Sequence, residues 1–249
     1  MASTETTLIP VMSRNVGSWQ FKIERQTLTT ESLAAEYDRA APGWTKITDK
    51  YGYATSYRKL FEQFFATLAN DIRARPLRVL DIGVGAGAFS LALVDACPVE
   101  IHLTAVDISP AMLAETSSRL AERGVDATLR QADARSLPFD TASFDLVIGA
   151  HVFEHLPNPV IALTEIERVL SPGGWLVSCI TRRSWLGTYI QTKWRTHRVS
   201  RDRTVDWLTA AGLDAVPHTL QPNGICRLTS LVAIGRKPVG SILNTEFPQ

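Results

Sequence analysis

The chain has 249 residues, a net charge of +1 and 45% hydrophobic residues, enough for an ordinary core in one large or two small domains. Twenty per cent charged residues beside that apolar fraction exclude wholesale disorder, and fifteen Gly with thirteen Pro exclude collagen-like and low-complexity chains. Three cysteines, Cys97, Cys179 and Cys226, are odd in number and far apart, which excludes a zinc knuckle and argues against a disulfide framework. No basic segment followed by an apolar run opens the sequence and no run of eighteen apolar residues occurs, so the expectation is a soluble, cytoplasmic protein without integral membrane association. The charge is uneven: residues 76–179 carry −7 and residues 180–203 carry +6. A nucleic-acid binder shows a domain-wide basic excess, and this short segment does not provide one.

In chain order, residues 1–30 read as polar and irregular, with the first dozen expected to be mobile. The stretch TESLAAEYDRAA (30–41) opens with a Thr cap and reads as a helix that Pro42-Gly43 should stop. Residues 55–73 place Tyr57, Leu60, Phe61, Phe64, Phe65 and Leu68 at helical spacing. From residue 78 the period changes. RVLDIG, HLTAVDI, ATLRQAD, SFDLVIGAH and GWLVSCIT read as buried strands, the fifth after a stop at Ser171-Pro172-Gly173-Gly174. AFSLALVDAC, PAMLAETSSRLAERG and NPVIALTEIERVL read as helices between them, and RTVDWLTAAG with a late strand RLTSLVAIGRK closes the pattern. The alternation predicts an α/β fold with a doubly wound, mostly parallel sheet. Two regions are expected: 1–75 as a flexible N-terminus and helical lid, and 76–249 as one Rossmann-like unit.

Such sheets bind ligands at the carboxyl ends of their strands. The first strand runs into Gly83-Val84-Gly85-Ala86-Gly87-Ala88, whose glycines allow a tight turn and close backbone approach to a ligand. This turn also satisfies a dinucleotide pattern, so a nicotinamide-dependent oxidoreductase stays open. Asp107 ends the second strand, where a carboxylate can accept both vicinal hydroxyls of a ribose. Asp133 ends the third and, with the backbone of Ala134, can face an adenine edge; a helix cap is its plainer reading. With Asp81, these acids outline a nucleoside pocket with excess negative charge, better suited to a cationic cofactor than to a diphosphate.

The segments VLDIGVGAGAFS, AVDISPAML, QADARSLPFD, FDLVIGAHVFEHLPNP and EIERVLSPGGWL, in this order and spacing, resemble the class I S-adenosylmethionine-dependent methyltransferases over roughly residues 31–236. Within these the likeness is to the small-molecule branch, nearest the ubiquinone/menaquinone-biosynthesis type. It implies S-adenosylmethionine as cofactor and a seven-stranded sheet, Rossmann-like, with its last strand antiparallel and N-terminal helices over the pocket. By this likeness Asp81, Gly83 and Gly85 hold the methionine portion and the turn, and Asp107 holds the ribose. Ile108 and Met112 pack near the adenine, Asp133 and Ala134 read its edge, and the backbone at Ala150-His151 passes the sulfonium. No metal is implied.

Methyl transfer draws on positioning and exclusion of water, and a poor nucleophile also needs a base. The candidates are His151 and His155, with Glu154 between them, and Tyr37; a structural role for Glu154 and His155 is an equal reading. Tyr37 and Trp44 can border a sulfonium by cation–π contact, or simply pack the lid. The chain has no Asn-Pro-Pro-Tyr or Asp-Pro-Pro-Tyr after the fourth strand, which argues against methylation of DNA bases. Arg195, Arg198 and their basic neighbours stand beside Trp185, Tyr189 and Trp194, which suggests an anionic or amphipathic small-molecule acceptor or, more plainly, a solvated face. A protein that holds the cofactor without catalysis is the rival from another class.

Overall fold

The computed structural model describes residues 8–26, 28–67, 72, 75–182, 196, 199–224 and 226–240. An N-terminal hairpin, β1 (Leu8–Val16) and β2 (Trp19–Gln26), precedes two helices, α1 (Thr30–Lys50) and α2 (Tyr53–Thr67). The alternating part follows as β3 (Leu77–Ile82), α3 (Ala88–Ala96), β4 (Ile101–Asp107), α4 (Pro110–Glu122), β5 (Ala127–Gln131), β6 (Phe144–Ala150), α5 (Pro159–Val169) and β7 (Leu170–Thr181). It ends with α6 (Arg201–Ala210), β8 (Asp214–Ala215), a short turn of helix α7 (Cys226–Thr229) and β9 (Ser230–Arg236). Seven strands form one sheet in the order β5-β4-β3-β6-β7-β9-β8, in which only β9 runs against its neighbours. The doubly wound sheet expected from the sequence, with its one antiparallel strand, is the fold observed.

The period of two along each strand divides the core between the two faces. Val79, Leu146, Ile148, Trp175 and Val177 point to one face, where α2 and α3 cover them with Leu60, Phe61, Phe64, Phe89 and Leu93. Leu80, Val147 and Leu176, each next in sequence, point to the other, beneath Leu163 and Ile166 of α5 and Trp207 and Leu208 of α6. Because both faces are covered, β3 and β6 read as almost unbroken apolar runs. Ser109 and Asn158 cap α4 and α5 by accepting the backbone N–H of Met112 and Val160, each followed by a proline at the first helical position.

Several expectations are corrected. Residues 8–26 are a hairpin rather than irregular chain: Gly17, at φ +60°, turns it, and Trp19, Phe21 and Ile23 alternate along β2 with more than half of each side chain's surface exposed. Pro42 does not stop α1, which continues to Lys50. An interior proline removes one helical hydrogen bond, yet residues on both sides of it, Tyr37 and Ala40 before, Gly43 and Trp44 after, wall the same cavity. The Ser171–Gly174 stretch is not a stop but an irregularity inside β7, whose pairing with β6 shifts register between Leu170 and Trp175 and which is tied to β9 through Gly173, Gly174 and Lys237. The two-residue β8 carries too little pattern to be read from sequence.

Asp145, at the amino end of β6, fastens the approach to β3. Its carboxylate, 2% exposed, accepts from the guanidiniums of Arg75 (2.9 and 2.7 Å) and Arg78 (3.1 and 2.9 Å) and from the Arg78 backbone N–H (3.1 Å). Burial alone would raise its pKa, but the hydrogen bonds from Arg78 and Arg75 outweigh burial and hold it well below the usual range. Both arginines are about half exposed, so Asp145→Asn is expected to cost only about 1–2 kcal/mol at pH 7. A depressed folded pKa stabilises above the unfolded value and ceases to do so as the pH falls through the folded one. Urea unfolding at pH 7 and below pH 4 should therefore show the gap narrowing in acid; an unchanged gap would refute the ion-pair account.

Candidate active site

A cavity of about 750 Å³ opens at the carboxyl ends of β3, β4 and β6, with α1 and the start of α2 as its roof. Its floor is the turn from β3 into α3. Gly83 stands at φ +61°, and a Cβ there would lie 2.5 Å from Cγ2 of Val152, so any other residue would be strained at this φ and would have to push Val152 aside. Val84 N–H bonds to Val106 O (3.0 Å), which lays the turn across the end of β4. There Asp107, 7% exposed, accepts from Gly85 N–H and Ser109 N–H, each at 2.9 Å. Its pKa is raised, by burial first, although the Ser109 and Gly85 N–H groups favour the charged form. The Ile108 backbone favours the charged form too, and a carboxylate with about four acceptor positions that lines the cavity still has capacity for a ligand.

Of the residues read as cofactor-binding, Tyr37, Gly83, Gly85, Asp107, Ile108, Asp133, Ala134 and Ala150 all line this cavity. Asp81 and Met112 do not: both are fully buried behind its wall. Asp81 Oδ2 accepts from the Ser90 hydroxyl (2.6 Å) while Oδ1 has no partner, and burial pushes its pKa up to about 7. Asp133 is paired with Arg135, a residue of the QADARSLPFD segment to which the sequence reading assigns no role: the guanidinium donates to both oxygens (Nε 3.0 Å, Nη2 2.6 Å), and the Arg135 N–H adds a bond of 2.9 Å. Burial works to raise its pKa, but Arg135 lowers it further than burial raises it. The expected excess of negative charge is thus reduced, since Asp133 is neutralised and Asp81 is withdrawn.

The roof is fastened by polar bonds. Asp38 of α1 accepts from the Ser109 hydroxyl (2.5 Å) and Ala111 N–H (3.3 Å), and Arg135 donates to Thr30 Oγ1. Tyr37 and His155 share a hydrogen bond between the phenol oxygen and Nε2 (2.9 Å), and burial raises the phenol's pKa well above its ordinary value. Trp44 meets Tyr37 edge-on at 5.8 Å. His151, also in the lining, adopts φ +61°, rare for a residue other than glycine, and donates its N–H to Cys179 O at 2.7 Å. Its Nδ1 lies 3.1 Å from Glu154 Oε1 and 2.9 Å from Thr181 Oγ1. Glu154 is fully buried; burial works against its charge, yet hydrogen bonds from His151 and the Thr181 N–H hold its pKa at about 2.

Arg183, Lys193, Arg195 and Arg198 of the basic segment, with Trp185, Tyr189 and Trp194, lie outside the described residues. The described cations there have local roles. Arg182 donates to Arg227 O, and Arg203 lies over the Trp207 ring at 5.7 Å. Nor does the sequence hint that Tyr53, Tyr57 and Thr181 reach the cavity, since only the sheet brings α2 and the end of β7 together there.

Residues 80–178, from β3 into β7, match the family model described as a methyltransferase domain. That match takes in 99 of the chain's 249 residues. The chain is similar to 2-methyl-6-phytyl-1,4-hydroquinone methyltransferase 2, chloroplastic, of Oryza sativa subsp. japonica: 31% identity over 148 residues, 59% of this chain and 41% of that one. It is also similar to the demethylmenaquinone methyltransferase of Thermus thermophilus: 37% over 102 residues, 41% of this chain and 46% of that one. Those matches take in less than half the length of either relative. Among solved structures, the [4+2]-cyclase SpnF superposes with a TM-score of 0.67 over 86% of this chain and 98% of its own; at 17% identity this likeness is one of fold.

The turn from β3 into α3 is sensitive to a single methyl group. Gly83→Ala should destabilise the protein by at least about 1 kcal/mol in urea, because the added Cβ meets Val152 at an unfavourable φ. Equal stability would mean that the turn relaxes freely.

Proposed function

We propose that this chain transfers a methyl group from S-adenosylmethionine to a small-molecule acceptor. The observation that carries the reading is Asp107, a carboxylate fixed by two backbone N–H groups at the mouth of β4, in a cavity otherwise walled largely by apolar and aromatic side chains. The residues present fit this cofactor. Asp107 keeps acceptor capacity for vicinal ribose hydroxyls, Ile108 and Ala134 flank room for a base, and Gly83 and Gly85 keep the floor free of side chains. When bound, the cofactor supplies an electrophilic methyl on a sulfonium whose charge disappears on transfer.

Around it, Tyr37 and Trp44 present ring faces and edges suited to a cation. Asp133, held by Arg135, stands with Ala134 on the cavity wall where the edge of an adenine would lie. The Ala150–His151 backbone borders the reacting end, and α1 and α2 keep water out. On the acceptor side stand His151, His155 and Tyr37. The cavity exceeds what a nucleoside needs and is mainly apolar, which favours an acceptor with an apolar body. The seven cations among residues 180–203 of the sequence would suit an acceptor with an anionic end.

No helix among the described residues is long and apolar enough to cross a membrane, which agrees with work in the cytoplasm on a diffusible acceptor. The nicotinamide alternative gains nothing from the relatives, which are named methyltransferases.

Calorimetric titration tests the reading. S-adenosylhomocysteine should bind, and Asp107→Asn should weaken it by about 1.5–3 kcal/mol through lost charge-assisted hydrogen bonds. Heat with NAD and none with S-adenosylhomocysteine would overturn the assignment. Binding without transfer to any acceptor would instead identify a catalytically silent protein.

A further inference from the structure

The two histidines of the acceptor side are not equivalent. His155 spends Nε2 on the Tyr37 hydroxyl, and so on the roof. His151 is held from the opposite direction, by Nδ1, and its partner settles where its proton resides. Glu154 is ionised and can only accept, and its Oε1 already takes the Thr181 N–H at 2.8 Å. Nδ1 lies 3.1 Å from that oxygen and 2.9 Å from Thr181 Oγ1: a hydrogen on Nδ1 serves both acceptors, whereas a bare nitrogen would take the Thr181 hydroxyl but set its lone pair against the carboxylate's, so the hydrogen belongs on Nδ1. The neutral ring therefore keeps its lone pair on Nε2. The Ser230 hydroxyl stands 3.4 Å from that nitrogen, a contact long enough for a closer hydroxyl to displace.

We propose that His151 Nε2 accepts the proton of a hydroxyl-bearing acceptor of phenol or enol type, and that Glu154 is the positioning residue that fixes this tautomer and stabilises the imidazolium. The proposal rests on the methyl-transfer reading above and names the chemistry of its acceptor.

Three further observations agree with it. The backbone of His151 is held at φ +61°, a conformation that persists only where surrounding bonds enforce it, here the 2.7 Å bond to Cys179 O. Glu154 has no access to solvent and leaves Oε2 without a partner, so burying it costs stability that packing alone does not explain. The other titratable groups packed around the pair stay neutral: Tyr53 and Tyr57 from α2 and Cys179 from β7 all have raised pKa values, by burial first. Glu154 is thus the carboxylate in direct contact with the imidazole.

The pocket end itself is lined with hydroxyls, from Thr181, Thr196, Thr229 and Tyr53, and the buried Thr196 hydroxyl has no partner. Such a surface suits a neutral protic group. An ammonium would want an accessible carboxylate, and Glu154 is sealed away. A free amine, moreover, already offers its lone pair and needs no base, whereas a hydroxyl does.

The step balances. As the acceptor oxygen, or the carbon conjugated to it, bonds to the methyl carbon, the carbon–sulfur pair returns to sulfur and cancels its charge. The acceptor's proton passes to Nε2, and the imidazolium later releases it to water.

The test uses the full chain loaded with S-adenosylhomocysteine and 4-nitrophenol as probe. Nitrogen-15 NMR of histidine-labelled protein should show His151 protonated on Nδ1, its signal identified by loss in His151→Asn. Bound 4-nitrophenol should ionise at a proton concentration about tenfold higher than the free probe, read from its absorbance. Glu154→Gln should abolish that shift while leaving S-adenosylhomocysteine affinity within about twofold. If Glu154→Gln fails to fold, His151→Asn, whose side chain tolerates a positive φ, must abolish the shift instead. A proton on Nε2, a probe that does not bind, or an equal shift in His151→Asn would overturn the proposal. Failure of the wild type to bind S-adenosylhomocysteine would sink the underlying reading, so the two failures are distinguishable.

Discussion

Three pieces of backbone converge on the carboxylate of Asp107: the glycine turn through Gly85, the end of β4, and the first residue of the α4 cap through Ser109. The turn and the cap each bring an N–H that helical or sheet bonding leaves unpaired, and the one side chain at the end of β4 satisfies both donors. The floor of the cavity owes its shape to this bridge, because the turn is otherwise tied down mainly by Val84 to β4 and by Thr116 to Gly85 O. A carboxylate so placed is already desolvated and oriented before any ligand arrives, so little reorganisation is left for binding to do.

Glu154 organises the opposite end in the same manner and at greater expense. A sealed anion with one unpartnered oxygen, beside a histidine in a left-handed conformation, is a costly arrangement for a core. Arg78 and Arg75 around Asp145 provide the contrast, an anion fully satisfied and far from the cavity. The strands between these two carboxylates are among the most thoroughly buried parts of the molecule, and such rigidity is what allows strained groups to persist at their ends.

Much of this was legible in the sequence because it is local. Apolar runs ending in glycine or aspartate announce parallel strands, and Ser-Pro and Asn-Pro pairs announce helix starts, without reference to anything distant. What was not legible depends on contacts across the fold. Pro42 reads as a helix stop until one knows that Tyr37 and Trp44 must face a common cavity. The Gly17 hairpin is short, and its alternating aromatics sit among polar residues that mask the period. Asp81 reads as a ligand because it stands at a strand end, yet the turn rises over it and leaves it to Ser90. Asp133 shows its position but not its partner, since nothing in the sequence marks Arg135 as the group that curls back upon it.

The Asp38–Ser109 bond has a consequence for movement. Ser109 is at once the cap of α4, through the Met112 N–H, and the anchor of α1, through its own hydroxyl hydrogen. Lifting α1 away therefore disturbs the first turn of the helix that stands behind the cavity wall, and loosening that turn in its turn frees the roof. Entry and escape through this side are coupled to fraying of α4, so the molecule opens as a cooperative unit and whatever firms the wall also slows the exchange of what lies beneath it.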